Sequence, residues 1–227
     1  MFKTGLVAGI GMSLALVACS PAAMPSRGQT DVLPAIAAPG AASPAEARVA
    51  ADLNVVSYTV TVPRTLLVSE ADVFLPNADI VWHGDREGDR YAQIEAIFAE
   101  ALQTGTDDMT QGYPVIVAIE IEKFHALTPK TRATVGGNFA MHFLLTVLDA
   151  NTGAIIEGPR LVIADTPASG GRKALREEAQ GITQKIVIEG RLAEVLRSEL
   201  QGIQVPQSAL DLVSRDAFSP MDLTSAR

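Results

Sequence analysis

From Val115 to Ile121, every odd position carries a β-branched apolar side chain, within the run Val-Ile-Val-Ala-Ile-Glu-Ile-Glu-Lys that ends at Lys123. Only extended backbone keeps a period of two, and such residues fit a pleated surface buried on one side. The chain must therefore build a sheet with one face turned to a core. Phe139, Met141, Phe143, Leu145 and Val147 repeat the pattern, Asp149-Ala150-Asn151-Thr152-Gly153 supplies turn residues, and Ala154 to Ala164 returns. This order predicts an antiparallel hairpin. Pro159 puts the returning strand at an edge or a bulge, since proline has no N–H to give a ladder.

The flanking segments complete the fold class. Val56, Tyr58, Val60 and Val62 alternate with Ser57, Thr59 and Thr61, and Ile80-Val81-Trp82 reads as another short strand. Residues 64–77 carry apolar runs, Leu66-Leu67-Val68 and Val73-Phe74-Leu75, but no period. After the acidic turn holding Asp85, Glu87 and Asp89, the spacing of Ile94, Ile97, Phe98, Ala101 and Leu102 predicts a helix with acids at its positive end. A loop with Pro129 and Gly136-Gly137 precedes the hairpin, and Gly170-Gly171 precedes a long helix over about 172–201. Its stripe is Leu175, Ala179, Ile182, Ile186, Leu192, Val195, Leu196 and Leu200. Gly181 and Gly190 each cost that helix about 1 kcal/mol and mark close packing or a bend. Strands, a helix, three strands and a long helix give an α+β two-layer sandwich: a mostly antiparallel sheet with two main helices packed on one face.

The globular domain is expected over residues 52–203, with 204–227 a tail that forms a turn or two around Leu210 and Val213. Residues 19–51 read as a tether rich in proline and alanine, and Ser43-Pro44-Ala45-Glu46 has the form of a capping box that predicts a short helix through Ala51. The net charge of −8 becomes −9 when residues 1–18 and their Lys3 are removed. An acidic chain without a basic block is unsuited to nucleic acid or anionic headgroups, so no nucleic-acid partner is expected.

The amino terminus fixes an address. Lys3 is the sole charge before Cys19, residues 5–18 are apolar apart from Ser13, and the stretch is shorter than the roughly 20 residues a spanning helix needs. Leu16-Val17-Ala18-Cys19-Ser20 resembles the lipobox of bacterial lipoproteins. That resemblance implies a signal peptide over 1–18, cleavage before Cys19, and acylation of its thiol and freed amine. The membrane would then be a partner through lipid on Cys19, held by more than one acyl chain at about 0.8 kcal/mol per buried methylene. With Ser20 rather than aspartate after the cysteine, the resemblance implies the outer membrane of a Gram-negative cell, with the domain facing the periplasm. Cys19 is the only cysteine, so no disulfide is available and stability must come from packing.

A wider resemblance rests on Ala78-Asp79-Ile80-Val81-Trp82-His83-Gly84-Asp85, the strand opening at Pro114-Val115, Asp149-Ala150-Asn151-Thr152-Gly153 and the Gly-Gly pair before the last helix. Over about residues 50–203 the chain resembles an uncharacterised family of alphaproteobacterial lipoproteins of unknown function. It implies no active site.

Motifs of catalysis are missing from the sequence. There is no G-x-S-x-G, H-E-x-x-H, phosphate loop or dinucleotide fingerprint. Asp85, Glu87 and Asp89 alternate like the start of a calcium loop, but Gly88 and Ala96 break its register, and capping of the following helix explains them better. His83, His125 and His142 share no ligand spacing, and no metal or cofactor is expected. Arg172 and Lys173 after Gly170-Gly171 read as solvated charges rather than an anion site.

Strand parity sets out one constellation. Glu120, Glu122 and Phe124 share the even face of one strand, and His142 and Leu144 share that of the next. Turning both apolar sets inward leaves these five on a common open face, together with Ala118, Ala140 and Leu148. The constellation admits two readings of different classes. The mixed surface suits docking, and the expectation is a lipid-anchored envelope protein that is not an enzyme but a binding or assembly-accessory module with an envelope protein partner. The alternative is a hydrolase or metal-dependent enzyme using Glu120, Glu122 and His142 in acid-base work, which requires them to converge in a pocket.

Overall fold

The computed structural model describes residues 48–208 with 210 and 211, so Cys19, the signal peptide, most of the tether and Val213 lie outside the described residues. The elements are β1 (Arg48–Ala50), β2 (Leu53–Thr61), β3 (Ile80–Val81), α1 (Arg90–Gly105), β4 (Tyr113–His125), α2 (Pro129–Ala133), β5 (Gly137–Asp149), β6 (Ile155–Ile163), β7 (Thr166–Ala168), α3 (Gly171–Ala179), α4 (Gln184–Gln201) and β8 (Gln204–Pro206). The main sheet runs β2-β4-β5-β6, with β3 beside the end of β4 and β7 beside the start of β5. This is the expected α+β architecture. The β4-β5-β6 hairpins are antiparallel, whereas β2 and β3 both pair with β4 in parallel, which makes the sheet mixed and α1 the crossover from β2 to β4.

The core lies between one sheet face and the helices. Val115, Val117, Ile119 and Ile121 of β4 and Phe139, Met141, Phe143, Leu145 and Val147 of β5 are buried, as their alternation demands. Against them lie Ile94, Ile97, Phe98 and Leu102 of α1 and Ile188, Leu192, Leu196 and Leu200 of α4. Asp89 caps α1 by accepting the N–H groups of Tyr91 and Ala92, which is the role expected of the acidic turn. Asp149 opens the tight turn: it accepts the N–H groups of Asn151 and Thr152 and, at 2.7 Å, the buried Tyr113 hydroxyl. β6 is an edge strand with two irregular pairings, as expected from Pro159, and its Gly158-Pro159 bond is cis.

Several expectations are corrected. Residues 48–50 form a strand, not the end of a helix: β1 pairs antiparallel with β8, setting Val49 opposite the buried Val205. The capping box Ser43-Pro44-Ala45-Glu46 itself lies outside the described residues. The long helix is two, α3 and α4, broken at Gly181, whose φ of +81° cannot continue a helix. Leu175, Ile182 and Ile186, placed on the core stripe by spacing, are consequently exposed. A bulge at Val56 shifts the β2 register, so Leu53 and Val55 face the core before it, Val60 after it, and Val56 points to water. The loop around Pro129 holds the short helix α2, with Thr128 accepting the Thr131 N–H as its cap.

Candidate functional site: the open sheet face and an apolar cleft

A second bulge, at Glu122, decides what the open face contains. Ile121 is opposite Phe143 but Lys123 is opposite His142, so Glu122 is the extra residue and parity inverts beyond it. Phe124, expected on the open face, is instead 0% exposed and packs edge-to-face on Trp82 at 5.7 Å and on Phe98 at 6.3 Å. It belongs to the core.

The other four residues remain on the open side. Glu120 pairs with Leu144 across the β4–β5 ladder, and Leu144 pairs in turn with Leu161 of β6. Glu120 and Glu122 are exposed and have no hydrogen-bonded or ionic partner among the described residues. His142 does not join them. Its Nε2 meets Asp165 Oδ1 at 3.1 Å, and the same oxygen accepts the Met141 N–H at 3.2 Å, so a residue just after β6 holds the ring. No hydrogen bond or ion pair joins His142 to Glu120 or Glu122 among the described residues. No cluster of three metal-ligating side chains occurs among the described residues.

Apolar side chains dominate the rest of this face. Leu161 is 55% and Ile163 58% exposed, beside the half-buried Leu144, Ala140 and Leu148, and Ile116 and Ala118 extend the patch across β4. Sequence parity found Leu144, Ala140, Ala118 and Leu148 but not the β6 contribution, because Pro159 and the irregular pairings obscure that strand's alternation.

The period-free segment 64–77 forms a second apolar surface. Leu75 is 91% exposed and Val135, just beyond α2, 74%, with the half-exposed Phe74 near them. Side chains from distant elements fix this loop. Glu70 receives the buried Arg90 guanidinium in two bonds of 2.7 and 2.9 Å, and Asp72 accepts the Lys130 N–H at 2.7 Å. Thr128 donates to the Val73 carbonyl at 2.9 Å, Thr131 to that of Phe74 at 3.2 Å, and His125 Nε2 to that of Ala78 at 2.6 Å. Burial lowers the His125 pKa, which favours the neutral ring. Conversely, the hydrogen bond from Arg90 holds the Glu70 carboxyl below its ordinary value. Behind the loop lies a cleft of about 530 Å³ between Phe74-Leu75-Pro76, Ala126-Leu127 and Val135–Asn138. Sequence reasoning missed this cleft; its only local signal is the run Val73-Phe74-Leu75 before Pro76.

No helix among the described residues is long and apolar enough to cross a membrane. Residues 53–215 match the model of a family of unknown function (DUF6778). Among solved structures, a DUF330-family protein from Xanthomonas campestris is similar at 12% identity and a TM-score of 0.39, over 78% of this chain and 94% of that one. A Caulobacter crescentus protein provisionally described as a lipoprotein is similar at 15% identity and a TM-score of 0.29, over 47% of this chain and 80% of that one. No curated protein matches the chain.

Proposed function

The chain belongs to the DUF6778 family of unknown function, and on that footing we propose that it is a lipid-anchored, non-catalytic module of the cell envelope that docks a partner protein on its open sheet face. The observation that carries the docking reading is the patch of Leu144, Leu161 and Ile163, which no described element covers, beside the unpaired carboxylates of Glu120 and Glu122. An apolar centre with a charged border is the composition of a protein interface. The address rests on Leu16-Val17-Ala18-Cys19: a diacylated and N-acylated Cys19 would hold the protein at the membrane, and Ser20 points to the outer membrane with the domain in the periplasm. The lipoprotein character implied by the wider resemblance is part of this proposal. Residues 20–47, fully extended, reach roughly 90 Å, enough to let the domain meet a partner away from its anchor. A non-catalytic role fits His142, whose ring is engaged by Asp165 and by no nucleophile among the described residues.

Two experiments test the proposal. Labelled palmitate should enter the wild type and not Cys19→Ala, which should leave the membrane fraction; label retained by Cys19→Ala refutes the anchor. Leu144→Asp with Leu161→Asp should keep the wild-type circular dichroism and lose co-isolation of an envelope protein after crosslinking. Unchanged co-isolation refutes the docking face.

A further inference from the structure

The apolar cleft behind Phe74 and Leu75 has no part in the docking face. Its volume of about 530 Å³ lies within the range of small-molecule sites, roughly 300–1,000 Å³. Phe74, Leu75, Pro76, Ala126, Leu127 and Val135 are half of its twelve lining residues, and the His125 Nε2 and the Thr128 and Thr131 hydroxyls among the rest are already bonded to loop carbonyls, so a sugar or nucleotide would find few partners for its polar groups. At the mouth the apolar surface continues outward, since Leu75 and Val135 project into solvent. Such exposure is costly and is not the result of a loose loop: the bonds from Arg90, Lys130, Thr128, Thr131 and His125 hold the segment in place. A rim fixed beforehand spends little binding energy on ordering.

Charge selects the other end of the ligand. The Lys130 ammonium lies 4.8 Å from the centroid of the Phe74 ring and forms no ion pair among the described residues. The neighbouring Asp72 carboxylate is turned to the Lys130 backbone N–H instead. The net charge of −8 disfavours anionic surfaces as a whole, but this cation without an ion pair stands beside Phe74, a residue of the cleft wall, and is locally complementary to an anion joined to a hydrocarbon. We propose that the cleft binds a single acyl chain whose anionic head rests at the mouth against Lys130. A free fatty acid and an anionic single-chain phospholipid share that chemistry.

The test uses the full chain purified from membranes into phosphatidylcholine nanodiscs, exposed to a diazirine-bearing palmitate, irradiated and mapped by peptide mass spectrometry. Adducts are expected on peptides holding residues 73–76 and 125–138. Val135→Asp, at an exposed position and so without effect on the melting temperature, should reduce them about tenfold by placing a charge in the mouth. Lys130→Glu should reduce them about fivefold, and Leu161→Asp, on the open sheet face, should leave them unchanged. Excess unlabelled palmitate or lysophosphatidylglycerol should displace the probe, the more effective competitor identifying the source of the chain. Adducts scattered over the protein, adducts indifferent to Val135→Asp, or displacement by neither competitor would overturn the proposal. Indifference to Lys130→Glu would overturn the anionic head.

Discussion

Replacing Phe124 with alanine separates the observed β4 register from the unbroken alternation that the sequence suggests. On an unbulged strand Phe124 would stand on the open face, and truncation would cost little. In the structure it is fully buried between Trp82 and Phe98 and pairs with Ile80 of β3, so it touches β3 and α1 at once. Buried Phe→Ala changes cost about 3–5 kcal/mol, including the ring contacts and the cavity left behind. For a domain of this size each kcal/mol lowers Tm by about 2–4 °C, so the melt should fall by roughly 6–20 °C. Leu144→Ala, on the half-buried side, should cost about 1 kcal/mol. Urea unfolding and thermal melts of the two variants give the comparison, and Phe124→Leu, expected to cost under about 1.5 kcal/mol, covers the case in which the alanine variant does not fold. A Phe124→Ala cost no larger than that of Leu144→Ala would refute the bulge at Glu122.

Gly181→Ala should destabilise by about 1–2 kcal/mol because its φ is +81°, whereas in one continuous helix it would stabilise by about 1 kcal/mol; the sign of the change in Tm decides. Gly170→Ala should cost more than Gly181→Ala, since a Cβ at Gly170 would sit 2.0 Å from the Gly136 nitrogen while one at Gly181 meets nothing; equal costs would contradict that close approach. Burial alone would raise the Asp149 pKa, but hydrogen bonds from the Tyr113 hydroxyl and from Asn151 and Thr152 outweigh it and lower the value. That contribution to stability is present above the unfolded pKa of about 3.9 and is lost as pH falls through the lower folded value. Asp149→Asn should therefore cost about 1–3 kcal/mol at pH 7, with the difference from wild type narrowing below pH 4; a difference constant with pH would contradict the shift.

Elements whose signal is local were legible in the sequence. The odd positions of β4 and β5 face the core as their alternation requires, Asp149 makes the tight turn, Asp89 caps α1 and Pro159 lies on an edge strand. Bulges were not legible. Neither Val56 nor Glu122 is a glycine or other local bulge signal, yet each inverts the parity of the strand residues beyond it, and the inversion at Glu122 moved Phe124 from the surface to the core. Pairing between distant segments was equally hidden: Arg48–Ala50 meets Gln204–Pro206 across nearly all of the described residues, and the parallel β2–β4 pair depends on α1 acting as a crossover. The cleft was hidden for the same reason. Its loop has no periodicity and is shaped by Arg90, Thr128 and Thr131, side chains whose proximity only the folded chain reveals.

Site-specific photocrosslinking in cells tests the docking module most directly, with the crosslinker placed in turn at Leu144, at Glu122 and at Glu194 on the exposed side of α4. The two sheet positions should give discrete adducts of defined mass and Glu194 none. Identical smears from all three would contradict a docking role for the open face.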